Sequence, residues 1–141
     1  MSTLAATSHP STTPASGAGL LRLGLGLDAA ATVAFAPPLA FASGWLSGLF
    51  GLPPLLLLGA GAFLLPWAAF LIWATRQRVP SRRTVWTVLI VNTLWVIDTA
   101  LLWASGWVQP TLWGEAFLAV NVVGVSAFTV LQYLGLRRMG R

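Results

Sequence analysis

Four apolar runs constrain this chain more than any other feature of its sequence. They cover residues 20–42, 52–75, 84–105 and 112–135. An α-helix rises about 1.5 Å per residue, so about 20 apolar residues cross a hydrocarbon layer about 30 Å thick. The breaks between the runs contain Gly or Pro, which end helices. The sequence therefore predicts an all-α integral membrane protein, folded as a four-helix antiparallel bundle with short connections.

The composition agrees with a membrane environment. Only 8% of the 141 residues are charged, against about 25% in soluble domains. The first 18 residues are rich in Ser, Thr, Ala and Pro, and are predicted to form a flexible tail. The predicted organisation is this tail (1–18), a transmembrane domain (19–136) and a short basic C-terminal tail (137–141).

The basic residues predict the orientation of the helices. All eight are arginines, and they lie near the two ends of the transmembrane domain and in the loop between the second and third runs. Under the positive-inside rule, both termini and that loop face the cytoplasm. We therefore expect a multi-pass protein of the bacterial plasma (inner) membrane. No basic face follows a phosphate backbone, so nucleic acid is not predicted as a partner.

Two acids and two amides within the apolar runs form the candidate intramembrane polar site. Counted from the predicted cytoplasmic helix ends, Asp28 and Asn92 both lie at a depth of about 12 Å. Asp98 and Asn121 both lie at about 21 Å. The matching depths predict that Asp28 can meet Asn92 and that Asp98 can meet Asn121.

The sequence leaves two interpretations of these residues open. Acids inside a membrane usually face the interior of a bundle or water, and are candidates for ion or proton pathways. An intramembrane acid can equally form a structural hydrogen bond to an amide on a neighbouring helix. A related expectation concerns Trp67 and Trp95, which lie near the middle of the membrane, so each indole N–H needs a partner or a cavity.

The helix faces give two further expectations. Pro37 and Pro38 are expected to end or kink the first span, leaving residues 39–50 as a short interfacial piece. On the second span, small residues recur at steps of three and four and predict a face where another helix approaches closely. This face consists of Gly59, Ala62, Pro66 and Ala69.

No combination of residues predicts enzyme chemistry. The chain contains no cysteine, and its one histidine, His9, lies in the N-terminal tail. There is no glycine-rich phosphate loop, no HExxH motif and no nucleophile with a nearby base. We expect no catalytic residue, no cofactor and no metal site.

The last third of the chain carries a resemblance. The segments "NTLWV", "GWVQPT" and "LQYLGLRR", with a weaker echo in "LLPWAAFLIW", resemble a class of short four-span bacterial proteins without assigned function. The resemblance implies an integral inner-membrane protein and brings no functional residues with it.

Two functions follow as hypotheses. The first is a non-enzymatic accessory or structural role in the bilayer, with binding of lipid, a partner membrane protein or a second copy of the chain. The second is a small proton-coupled transporter or channel, acting as a dimer and using Asp28, Asp98 or both. Small-residue faces favour the first, and the intramembrane acids favour the second.

Overall fold

Five helices make up the part of the chain that the structure describes. In this computed structural model residues 17–140 are described, and they contain no β-strand. The predicted tail lies outside the described residues, apart from residues 17 and 18, which begin the first helix. The helices are α1 (Gly17–Phe41), α2 (Ser43–Phe50), α3 (Pro54–Arg76), α4 (Arg82–Ala104) and α5 (Leu112–Met139).

Four of these helices are long and apolar enough to cross a membrane. They are α1, α3, α4 and α5, and they cover the four apolar runs of the sequence except for one or two residues at an end of the first three. The helical conformation reaches further than expected at the C-terminus, because α5 continues to Met139. The predicted basic tail 137–141 is therefore helical up to that residue. These helices support a multi-pass membrane protein.

The two prolines do not end α1, which differs from the sequence expectation. The helix passes through Pro37 and Pro38 to Phe41. Proline lacks an N–H donor but its carbonyl still accepts, and the Pro38 carbonyl accepts a hydrogen bond from the Ala42 N–H at 2.8 Å. The break comes at Ala42, where φ is −123° and ψ is 24°. The short α2 then leads towards α3.

Helix α1 is the central element, since it packs against both α3 and α5. Glycines permit the close approach on both sides. An added Cβ at Gly61 of α3 would collide with the backbone at Leu39 and Ala40. One at Gly135 of α5 would lie 2.6 Å from the Leu21 backbone nitrogen.

The small-residue face predicted on α3 is not the one that contacts α1. All four of its members are exposed, and an added Cβ at Gly59 would have nothing within 4 Å. The buried face of α3 is instead defined by its large leucines, with Gly61 among them at the point of closest approach. The positions of small residues in the sequence therefore did not identify the face of α3 that packs against α1.

Buried apolar residues form two clusters, one towards each end of the long helices. The cluster at the arginine-rich end takes side chains from α1, α3 and α4, and Leu136 of α5 packs against it. The cluster at the opposite end is built mainly from α1, α2 and α3. In α4 every buried residue lies at or before Asn92. Beyond Asn92 the residues of α4 are part-buried or exposed, and Trp95 and Leu102 pack against the cluster at the opposite end.

The opposite end is held by hydrogen bonds between α2 and the start of α5. The Thr111 N–H donates to the Phe50 carbonyl at 2.9 Å, and the Thr111 hydroxyl donates to the Leu49 carbonyl at 2.6 Å. Gly51 turns the chain after α2 with φ of 67°, a conformation that favours glycine. These bonds satisfy carbonyls at the end of α2 that have no partner within the helix.

The glycine contact gives a test of the α1–α3 packing. We expect Gly61→Ala to lower the stability of the protein by about 1–3 kcal/mol, because the methyl group meets backbone that cannot rotate away. Gly59→Ala is the matched control, and should be neutral or stabilise by up to about 1 kcal/mol. Thermal unfolding in detergent would measure both changes. Equal effects of the two variants would contradict the packing described here.

Candidate functional site

Asp28 lies at the centre of a buried polar cluster that joins three helices. Its Oδ2 atom accepts a hydrogen bond from Asn92 Nδ2 of α4 at 2.6 Å and one from Gln132 Nε2 of α5 at 2.9 Å. The exposed fractions are 3% for Asp28, 3% for Asn92 and 0% for Gln132. Helices α1 and α4 do not pack directly along their length. The cluster therefore links them through side chains.

The local sequence of α1 and α5 makes room for this cluster. Gln132 lies against Gly24, one turn before Asp28, where an added Cβ would come within 3.0 Å of the Gln132 side chain. The Gln132 amide also reaches the Gly24 carbonyl at 3.4 Å. One turn after the acid, the Thr32 hydroxyl donates to the Asp28 carbonyl at 2.8 Å. Asp28 thus lies between a glycine and a threonine on the same face of α1, and the threonine hydroxyl already has its own hydrogen bond.

Sequence reasoning brought Asp28 and Asn92 together but did not include Gln132. Because α5 reaches Met139, Gln132 lies seven residues, or roughly 10 Å, from the helix end. Gln132 follows Asn121 by eleven residues, which is three helical turns, so both amides lie on one side of α5. This spacing is the feature of the sequence that could have placed Gln132 at the site.

Asp98 and Asn121 do not form the pair that their depths predicted. The Asn121 Oδ1 atom accepts a hydrogen bond from the indole N–H of Trp95 at 2.6 Å. Trp95 lies one turn before Asp98 on α4, so a depth count could not decide which of these two side chains contacts Asn121. The expected partner for the Trp95 N–H is thereby identified. Asp98 is exposed, and no side chain in residues 17–140 makes a hydrogen bond or ion pair with it.

Asp98 faces a groove between α3 and the second half of α4. The groove has a volume of about 760 Å³, in the range of small-molecule sites. Its lining is mostly leucine and aromatic side chains, with Asp98 as the one acid among the residues that line it. It lies where α3 and α4 do not pack closely against each other, and it extends to the α4–α5 connection, where Ser105 and Trp107 line it.

Trp95 separates this groove from the Asp28 cluster. Its ring stacks on Phe63 of α3, with centroids 5.9 Å apart and the planes 13° from parallel. Trp95 and Asp28 both line two small cavities of about 30 and 100 Å³, and Trp95 also lines the groove. Cavities of this size have room for water. The four predicted site residues therefore divide into a closed cluster and an open groove on either side of one indole.

No donor set for a metal ion is present in residues 17–140: they hold no group of three or more His, Cys, Asp or Glu side chains suited to one. Comparison with models of known protein families gives no match, and neither does comparison with curated proteins or with solved structures. The chemistry of the two sites is therefore derived from their residues alone.

The different surroundings of the two acids give a matched test. We expect Asp28→Ala to lower stability by about 1–2 kcal/mol, because two buried amide donors lose their acceptor. Asp28→Asn should cost less, since its amide oxygen can still accept. Asp98→Ala should lower stability by no more than about 0.5 kcal/mol, because this side chain has no partner to lose. Unfolding in mixed micelles would measure all three, and a larger effect at Asp98 would contradict the assignment.

Proposed function

We propose that this protein is a non-enzymatic, accessory membrane protein that binds a molecule from the lipid phase in the groove between α3 and α4. The groove is the observation that carries this proposal. It is wide and mainly apolar, and in this proposal its occupant reaches it through the bilayer. In this proposal the Asp28 cluster is structural: it holds three helices together, because the Asn92 and Gln132 amides both donate hydrogen bonds to the Asp28 carboxylate.

The proposed architecture is an antiparallel bundle of four spans in a bacterial inner membrane, with both termini in the cytoplasm. It is supported by the contacts of Gly17 with Gly135 and Met139, which bring the start of α1 to the end of α5. The end of α3 and the start of α4 also carry arginines. Together with the positive-inside rule, this arrangement favours a cytoplasmic location for that end. It also fits the resemblance to short four-span inner-membrane proteins.

The orientation can be tested because the chain has no cysteine. A single cysteine can be introduced at Val79, between α3 and α4, or at Gln109, between α4 and α5; both positions are exposed. In intact spheroplasts a membrane-impermeant maleimide should label Gln109→Cys, and should label Val79→Cys only after permeabilisation. The reverse pattern would mean that the termini face outwards.

Binding from the lipid phase can be tested with a phospholipid that carries a photoreactive diazirine in its tail. In proteoliposomes we expect crosslinks at Leu101 and Leu102 of the groove to exceed those at Val123, an exposed residue outside the groove lining. Leu102→Trp should reduce the groove crosslinks by filling the space, and leave those at Val123 unchanged. Equal labelling of all three positions, insensitive to Leu102→Trp, would argue against a lateral binding site.

A proton-coupled transporter or channel is the second candidate. It is favoured by the unpaired Asp98 carboxylate and by the small cavities between Asp28 and Trp95. An unpaired charge within the membrane costs about 2.5–3.5 kcal/mol on insertion scales, so it is retained more readily where it serves a function. A flux in proteoliposomes that follows a pH gradient and is lost with Asp98→Asn would establish this function in place of simple binding.

A further inference from the structure

Most polar side chains that line the groove already form hydrogen bonds within the protein. The Thr99 hydroxyl donates to the Trp95 carbonyl at 2.8 Å, and the Ser105 hydroxyl donates to the Leu102 carbonyl at 2.9 Å. The Asn121 oxygen is occupied by the Trp95 indole. The Asp98 carboxyl group has no hydrogen-bond or ion-pair partner within residues 17–140. It is also the one side chain in the groove lining that can carry a charge.

The described arginines on the membrane helices are too far away to neutralise that charge. The nearest in sequence, Arg83, precedes Asp98 by 15 residues on α4, a rise of about 22 Å. Arg22 lies near the start of α1, and those of α3 and α5 lie in the last turns of these helices, all at the arginine-rich end. A carboxylate exposed to hydrocarbon is unfavourable, so an occupant that supplies a positive charge gains from relieving it.

Aromatic rings indicate what kind of cation fits. Four aromatic rings line the groove together with Asp98: Phe63, Trp95, Trp107 and Phe117. Phe63 and Trp95 stack on each other and Phe117 stacks on Phe50, so Trp107 is the ring of this set that has no other ring stacked on it within residues 17–140. The faces of aromatic rings attract organic cations, and quaternary ammonium groups in particular. A divalent metal ion would need several oxygen ligands, whereas the groove has a single acid. The leucine side chains that form the rest of the lining suit a hydrocarbon tail.

We propose that the groove binds an organic monocation with a hydrocarbon tail, with its ammonium group at the Asp98 carboxylate and its tail along the leucines of α3 and α4. This inference rests on the proposed function, because it names the chemical class of the molecule that the groove takes from the lipid phase. Charge complementarity selects this occupant over an anionic lipid, and the aromatic lining selects it over a metal ion.

The test uses the full chain in nanodiscs of a zwitterionic phospholipid, with empty nanodiscs subtracted. The probe is radiolabelled decyltrimethylammonium, and the comparator is its uncharged analogue in which carbon replaces the quaternary nitrogen. We expect saturable binding of the cation, weakened by about tenfold or more in Asp98→Asn and largely kept in Asp98→Glu. Glu115→Gln is the control, since Glu115 is exposed at the start of α5 and does not line the groove.

The outcomes separate the ligand class from the proposed function. If Asp98→Asn binds the cation as tightly as the unmodified chain, or the uncharged analogue binds equally well, the cation assignment is wrong. Lipid-phase binding in the groove then still holds, provided that Leu101→Trp blocks the probe. If neither probe saturates and Leu101→Cys forms disulfide-linked dimers, a helix of a second copy fills the groove, and both the cation assignment and the lipid-phase ligand are overturned.

Discussion

One buried carboxylate joins three of the four long helices. Asp28 on α1 receives amide hydrogen bonds from α4 and α5, and no backbone packing joins α1 to α4. In a membrane, apolar side chains gain little by leaving lipid for one another, so packing and polar contacts hold helices together. Close packing at glycines holds α1 to α3 and α5. The position of α4 depends on its packing against α5, on this cluster and on the apolar residues next to it.

The cluster and the groove occupy successive levels along α4. Asn92 is the last buried residue of α4, and the residues beyond it are part-buried or exposed. The stacked pair of Phe63 and Trp95 closes the gap at this level, and Trp95 is fixed by its bond to Asn121. Beyond the indole, Asp98, Thr99, Leu101 and Leu102 of α4 line the groove. The same helix thus contributes a structural amide in its first half and a free carboxylate in its second.

The two acids show how far residue type can mislead. Both are single acids within apolar helices, and by sequence both were candidates for a proton or cation site. Asp28 is buried and engaged by two amides, whereas Asp98 is exposed and has no partner among the described residues. Their difference arises from helix rotation. Neighbouring positions on a helix point about 100° apart, so a depth count cannot say which of Trp95 and Asp98 reaches Asn121.

The sequence by itself determined that the chain is helical, where its four long apolar segments lie, and which few polar residues they contain. Those properties follow from hydrophobicity and from the need to satisfy backbone hydrogen bonds within each helix, which are local constraints. Only the tertiary structure decided that Gly61 rather than Gly59 meets α1, that Gln132 completes the Asp28 cluster, and that Asp98 borders a groove. These outcomes depend on the rotation and separation of helices, which are set by contacts between residues far apart in the chain.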